Sequence, residues 1–273
     1  MPPADETGDG GAGHSPLGCL RADPARAAIL TDVDGTLAPI VERPELAAVP
    51  ARTSELLRTL NRRYGLVGCI SGRQALEARR LVGVEEIAYA GNHGLELLMP
   101  GEDQPQLDPA LVGAERVAAD FIAGLDREEL EAAGFRLEDK GPIQSLHWRG
   151  AADERAAEAR AHEIAAEAGR AELEPRWGRK VLELRPLGGG GKDTAAAALL
   201  AGEDIVAAVF AGDDRTDLDA FRRLRELREE GQLEVVLCVG VVSPEAPPEL
   251  TEECDLAVDG PDGWVSLLEE LAA

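Results

Sequence analysis

The chain has 273 residues, 44% of them hydrophobic, and carries a formal net charge of −24. That length bounds one large or two modest domains, and that charge argues against nucleic acid and anionic membrane as partners. No apolar run approaches the ~18 residues of a membrane helix, and the N-terminus lacks the basic and apolar regions of a signal peptide.

Residues 1–20 begin "MPPADETGDGGAGHSPLG" and read as a disordered leader. The first apolar run is "AAILT" (27–31). A helix pattern over 50–64 follows, with Leu56, Leu57 and Leu60 at helical spacing, then the run "LVGCI" (66–70) and a second helix over 73–83. Beyond the middle of the chain come a helix over 193–202, the run "VAAVFA" (206–211), a helix over 216–230 and the run "VVLCV" (235–239). Each run is short and apolar throughout, as a strand covered on both faces requires. Their alternation with helices predicts an α/β fold with a parallel, Rossmann-like sheet.

The stretch 100–186 breaks that rhythm. A strong helix covers 151–169, and "QSLHWRG" (144–150) and "KVLELRP" (180–186) alternate with period two. We read 100–186 as an α+β domain inserted into a core made of 21–99 and 187–273. Four cysteines lack metal-like spacing, and Cys69 and Cys238 lie inside apolar runs as buried thiols. A cytoplasmic location follows as the default.

In an open parallel sheet, ligands sit at the carboxyl ends of the strands. The first run is followed by "DVDGT", the second by "SGR" (71–73) and the third by "GDDRTD" (212–217), while Lys192 opens a helix after a glycine run. Asp32 and Asp34, two apart on an extended chain, point the same way. An acidic nest alone repels a phosphate. A divalent cation reverses that, and hard oxygen donors suit Mg²⁺. Asp32 and an acid of "GDDRTD", Asp213 foremost, would be its ligands, with the Asp34 carbonyl as a third. Ser71 and Lys192 would grip phosphate oxygens, and a carboxylate nucleophile forming an aspartyl-phosphate is an established covalent strategy.

Taken singly these features are weak. Asp-x-Asp is usually a turn or cap, and "SGR" a helix start. "GGGGK" (188–192) is no P-loop, because its first glycine would have to be Pro186 and Asp193 stands where Ser or Thr is needed. The four together, in order and each at a strand end or helix start, resemble the haloacid dehalogenase superfamily of phosphatases. That resemblance implies that Asp32 attacks phosphorus, that Asp34 protonates the leaving alcohol and then activates water, and that Ser71 and Lys192 hold the phosphoryl group. It also implies Mg²⁺ between Asp32 and Asp213, with Asp214 and Asp217 in support, and makes the insertion an α+β cap.

A narrower resemblance follows: "GNHG" (91–94), "LEDKG" (137–141), "SLHWRG" (145–150), "KVLELRP" (180–186) and the "DAF" after "GDDRTD" together look like trehalose-6-phosphate phosphatases. That implies sugar contacts from Glu138, Lys140, Arg149 and Glu183. Gly72, Arg73, Asn92, His93 and His147 join the substrate-binding set, although an "NHG" turn can also need its residues for backbone geometry alone. The chain departs from the family in having Asp193 after Lys192, and Leu218 with the acid displaced to Asp219. The residues agree independently: His147 and Arg149 share one face of their strand, and Glu183 and Arg185 oppose Leu182 and Leu184. Charged groups on such a face can hydrogen-bond a neutral disaccharide. The resemblance implies trehalose 6-phosphate as substrate and a functional link to a trehalose-6-phosphate synthase; a monomer is the default expectation. The rivals are a phosphatase for another sugar phosphate, such as a glycosyl phosphoglycerate, and a catalytically silent sugar-phosphate sensor. The presence of Asp32, Asp34, Lys192 and Asp213 together speaks against the sensor.

Overall fold

The computed structural model describes residues 15–41, 46–111, 114, 116–178, 180–202, 204–244 and 246–273. The chain opens with α1 (Pro16–Ala22), where Ser15 caps the first turn by accepting from the Gly18 amide at 3.1 Å and Pro16 occupies the first helical position. Leu20 of α1 is fully buried and Leu17 packs beside it. Residues 16–20 therefore belong to the folded body and not to a leader; residues 1–14 lie outside the described residues.

Strands β1 (Ala27–Thr31), β2 (Leu66–Ile70), β3 (Ala88–Gly91), β4 (Glu96–Leu98) and β5 (Gln106–Leu107) come first, with α2 (Ala51–Asn61) and α3 (Ala75–Val82) in the crossovers. The middle of the chain holds α4 (Val117–Ala123), α5 (Arg127–Ala132), β6 (Arg136–Asp139), β7 (Gln144–His147), α6 (Glu154–Arg170), β8 (Leu173–Gly178) and β9 (Val181–Pro186). The chain closes with α7 (Lys192–Leu200), β10 (Ala207–Gly212), α8 (Asp217–Glu229), β11 (Val235–Val242), α9 (Pro248–Glu253), β12 (Leu256–Asp259) and α10 (Gly260–Ala272).

The large sheet runs β12-β11-β10-β1-β2-β3-β4-β5. It is parallel from β12 through β3, and β4 and β5 add antiparallel at one edge. Period-two alternation assigns its side chains to two cores. Ile29 and Val67 point to the side covered by Leu20, Leu57, Leu60, Trp264 and Leu268. Leu30 and Phe210 point to the side covered by Ala195, Leu199, Phe221 and Leu250. Burial on both faces explains why these strands read as unbroken apolar runs. The insertion brings its own sheet, β6-β7-β9-β8, antiparallel throughout. One face packs Leu146, Trp148, Leu182 and Leu184 against Ala157, Ala161 and Ile164 of α6. Since β5 pairs with β4, residues 106–107 extend the large sheet. Among the described residues no helix is long and apolar enough to cross a membrane.

Candidate active site

β1 lies between β2 and β10, and the chain leaves it in opposite directions to reach them. Such a switch point opens a crevice at the carboxyl ends of the strands. Asp32 follows β1, Ser71 follows β2, Asp213 follows β10, and Lys192 and Asp217 are the first residues of α7 and α8. The predicted motifs thus meet at one end of one sheet.

The turn after β1 closes through the Leu37 and Ala38 amides on the Val33 carbonyl, and through Gly35 N–H on the Ala38 carbonyl at 2.8 Å. Gly35 has φ +87°, and a Cβ there would lie 2.1 Å from Asp213 Oδ2, so glycine alone lets Asp213 close on the turn. Thr36 Oγ1 donates to Asp213 Oδ1 at 3.3 Å, a contact that sequence reasoning missed.

Lys192 is 2% exposed and donates to Asp32 Oδ1 at 2.8 Å and Asp217 Oδ1 at 2.6 Å. Asp217 Oδ2 accepts the Asp213 and Asp214 amides, each at 2.9 Å. The acceptors of Asp217 are thus occupied by the lysine and its own loop. Asp214 Oδ1 accepts from the Thr216 amide and hydroxyl, both at 2.7 Å, and shapes the start of α8.

Asp32, Asp213 and Asp217 each bring a carboxylate oxygen within 4.8 Å of the others, all buried. Burial, with Asp213 and Asp214 adding against Lys192, pushes Asp32 up to about 8. Burial and the charges of Asp217 and Asp214 push Asp213 up to about 7. Asp217 is raised too, again by burial first and against Lys192. Three carboxylates around one ammonium leave an excess of negative charge, and the hard oxygens of Asp32 and Asp213, with Asp217 committed to Lys192 and its loop, fit a divalent cation.

That excess has a measurable consequence in the metal-free protein. A carboxyl raised on folding stabilises the fold fully only below its unfolded pKa, and the contribution is lost as pH rises through its folded pKa. For Asp32 and Asp213 the loss runs up to about 8 and 7. His93 acts oppositely: burial, with Arg185 and Lys192, lowers it to about 3, so its contribution is complete above its ordinary pKa of 6.5. Between pH 6.5 and 8.5 the melting temperature in EDTA should therefore fall, by about 2–4 °C per kcal/mol lost, and Mg²⁺ should raise it more at pH 8.5. Thermal unfolding at both pH values checks this, and a flat profile in EDTA would overturn it.

Asp34 is more exposed than Asp32 and lies in a bidentate pair with Arg73: Nε to Oδ2 at 2.7 Å and Nη2 to Oδ1 at 2.8 Å. Arg73 Nη1 also donates to Glu77 at 2.6 Å. These three donor contacts all go to acids of the core. Gly72 packs against His93, where a Cβ would come within 2.6 Å of Nε2.

Asn92 and His93 both adopt left-handed backbone, φ 50° and 57°, uncommon for residues with side chains. Their amides donate to the carbonyls of Arg73 and Ser71, which ties "NHG" to "SGR". Asn92 Nδ2 donates to Glu96 at 2.7 Å and to the Lys140 carbonyl at 2.8 Å, joining core to insertion. Its hydrogen bonds thus serve structure. His93, neutral by its lowered pKa, sits 3.9 Å from Glu183 Oε2, and its buried Nδ1 has no partner.

Above these groups lies the polar face of the small sheet. Glu138, Ser145 and Glu183 stand in one cross-strand row. Lys140 Nζ donates to Glu183 Oε1 at 3.0 Å and Arg185 Nη2 to Oε2 at 2.6 Å. Burial favours the neutral acid, but Lys140 and Arg185 hold Glu183 well below the usual carboxylate range. Glu138 and His147 pair at 2.7 Å. Arg149 is exposed in the turn beyond β7, and its charge bears on Glu154; the structure does not bring it into the Lys140–Glu183–Arg185 network. Arg185 and Ser145 were left out of the predicted site. Arg185 was legible in the alternation of "VLELR", and buried Ser145 Oγ, which has no partner, becomes visible only once the strands pair.

In fold the chain is similar to a solved haloacid dehalogenase-like hydrolase and to a solved trehalose-6-phosphate phosphatase domain. The first, from Bacteroides thetaiotaomicron, superposes with TM-score 0.60 at 13% identity, over 90% of this chain and 99% of that one. The C-terminal domain of the C. albicans trehalose-6-phosphate phosphatase does so with TM-score 0.69 at 19% identity, over 94% and 95%. These are likenesses of fold. In sequence, the family model described as Trehalose-phosphatase matches residues 30–249, and the chain belongs to that family. The chain is 32% identical over 226 residues to a probable trehalose-phosphate phosphatase 9 of Oryza sativa subsp. japonica (73% of this chain, 60% of the relative). It is 35% identical over 205 residues to a trehalose-phosphate phosphatase of Mycolicibacterium paratuberculosis (72% and 51%). The match thus spans between half and three-fifths of these relatives.

Proposed function

We propose that the chain is a Mg²⁺-dependent phosphatase that hydrolyses trehalose 6-phosphate to trehalose and phosphate through an aspartyl-phosphate. The observation that carries this reading is the buried Lys192–Asp32 pair, 2.8 Å apart, at the switch point. In this reading Asp32 attacks phosphorus, while Lys192 and Ser71 hold phosphoryl oxygens. Asp34 gives a proton to the leaving alkoxide, then takes one from the attacking water. Asp32 and Asp213 would hold Mg²⁺ with the Asp34 carbonyl, and Asp217 and Asp214 would brace the loop. The cation supplies neutralising charge for the phosphoryl oxygens. Glu138, Lys140, His147, Glu183 and Arg185 offer charged partners to the hydroxyls of a neutral disaccharide, and closure of the cap would exclude water. A trehalose-6-phosphate synthase would supply the substrate, and a monomeric, cytoplasmic enzyme belongs to the same proposal.

The test is phosphate release from a panel of sugar phosphates, with Mg²⁺ and with EDTA. Release confined to trehalose 6-phosphate and lost in EDTA is the expected result. Metal-dependent release from other sugar phosphates alone would keep the core chemistry and overturn the substrate. No release from any of them would bring forward the silent sensor.

A further inference from the structure

Arg73 is fixed at both ends. Its amide donates to Ser71 Oγ at 3.2 Å, and its carbonyl accepts from Asn92. Its guanidinium presents Nε and Nη2 to the two oxygens of Asp34 and Nη1 to Glu77. The arginine side chain is 12% exposed, against 40% for that of Asp34. A fork held by packing and a second acid fixes its partner's orientation with little further loss of freedom.

The two roles read for Asp34 make different demands on it. To protonate a leaving group it must carry a proton on one oxygen. To activate water it must be an oriented carboxylate. A bidentate guanidinium meets the second demand by geometry, because it fixes the plane of the Asp34 carboxyl group and so the direction of its remaining lone pairs. We propose that Arg73, braced by Glu77, is the positioning residue that holds Asp34 as the base for breakdown of the aspartyl-phosphate. In that step a water oxygen bonds to phosphorus and its proton passes to an Asp34 oxygen. The bond from phosphorus to the Asp32 oxygen breaks, and its electron pair returns to Asp32 as a carboxylate while phosphate departs. The proposal rests on the reading of Asp34 given above.

A substrate with a good leaving group separates the two half-reactions. p-Nitrophenolate needs no proton, so formation of the aspartyl-phosphate from p-nitrophenyl phosphate bypasses the acid role, while its hydrolysis still needs the base. Rapid-mixing kinetics with Mg²⁺ should show a burst for Arg73→Met that approaches one nitrophenolate per site and exceeds that of the wild type. The steady-state kcat should then be about 10²-fold lower, with kcat/KM within about threefold. Glu77→Gln should show the same pattern more weakly, and Arg73→Lys, which keeps the charge but not the fork, should recover part of the rate. Arg73→Lys also serves if Arg73→Met does not fold. A parallel fall in kcat and kcat/KM with no burst, the pattern of a structural or substrate-binding arginine, would overturn the proposal. Asp34→Asn separates the two failures. A burst there without one in Arg73→Met or Arg73→Lys overturns the positioning role alone. No burst in Asp34→Asn overturns the reading of Asp34 and this proposal with it.

Discussion

Asp32→Asn should lower kcat by about 10⁴-fold or more, the scale of losing a nucleophile, while leaving the protein folded. Asparagine keeps the shape of the side chain but offers phosphorus no carboxylate oxygen. The fold has independent reasons to persist. The Asp32 amide donates to the Ala211 carbonyl at 2.8 Å, and Lys192 keeps Asp217 at 2.6 Å. The metal-free variant should even melt higher than the wild type at pH 8.5. There the wild-type acid is charged against its burial, beside Asp213 and Asp214, and the amide is not. Steady-state kinetics and thermal unfolding in EDTA check both halves. Activity within tenfold of the wild type would remove Asp32 from the nucleophile's role, and a lower melting temperature would contradict the charge excess at the site.

Glu183→Gln should discriminate between substrates. The wild-type carboxylate gathers Lys140 and Arg185 on its two oxygens. Loss of hydrogen bonds to one charged group is worth about 1.5–3 kcal/mol, or roughly 10- to 150-fold in kcat/KM for trehalose 6-phosphate. p-Nitrophenyl phosphate presents no sugar and should be turned over almost as before. Inhibition by trehalose should weaken in step with the first effect. The variant should also lose stability, because two partly buried cations lose their counter-charge, so its folded fraction is measured first. Equal losses on both substrates would count against a sugar-binding face on the insertion.

Much of the architecture was legible because it is written in local patterns. The strand at 27–31 is apolar at every position since both its faces are covered, and composition shows that directly. The helix over 151–169 shows in its spacing of Ala157, Ala161 and Ile164. Elements without such a signature went unread. β3 and β4 span only 4 and 3 residues, and β12 is largely exposed. α1 was taken for leader because its burial depends on Leu20 finding a distant core. The motif "SGR" puts Arg73 beside Ser71 but says nothing of where its guanidinium turns, and the pair with Asp34 is visible only in the structure. Arg149 was named a sugar ligand by resemblance alone; strand alternation could not place it, because β7 ends at His147.

By itself, then, the sequence determined the chemical inventory and its order along the chain. Acids, a hydroxyl and a lysine stand at the ends of apolar runs, and two strands alternate charge with leucine. These are properties of spacing over two to four residues, and neighbouring side chains settle them. Only the tertiary structure decided partnership. Lys192 and Asp32 stand 160 positions apart in sequence, Asp34 and Arg73 39, and Lys140 and Glu183 43. Which charges face one another, and how strongly burial magnifies them, depends on distances that no local pattern carries. That is why the residues of this site could be read from the sequence, while their pairing, and with it the division of labour among them, emerged only when the two sheets were in place.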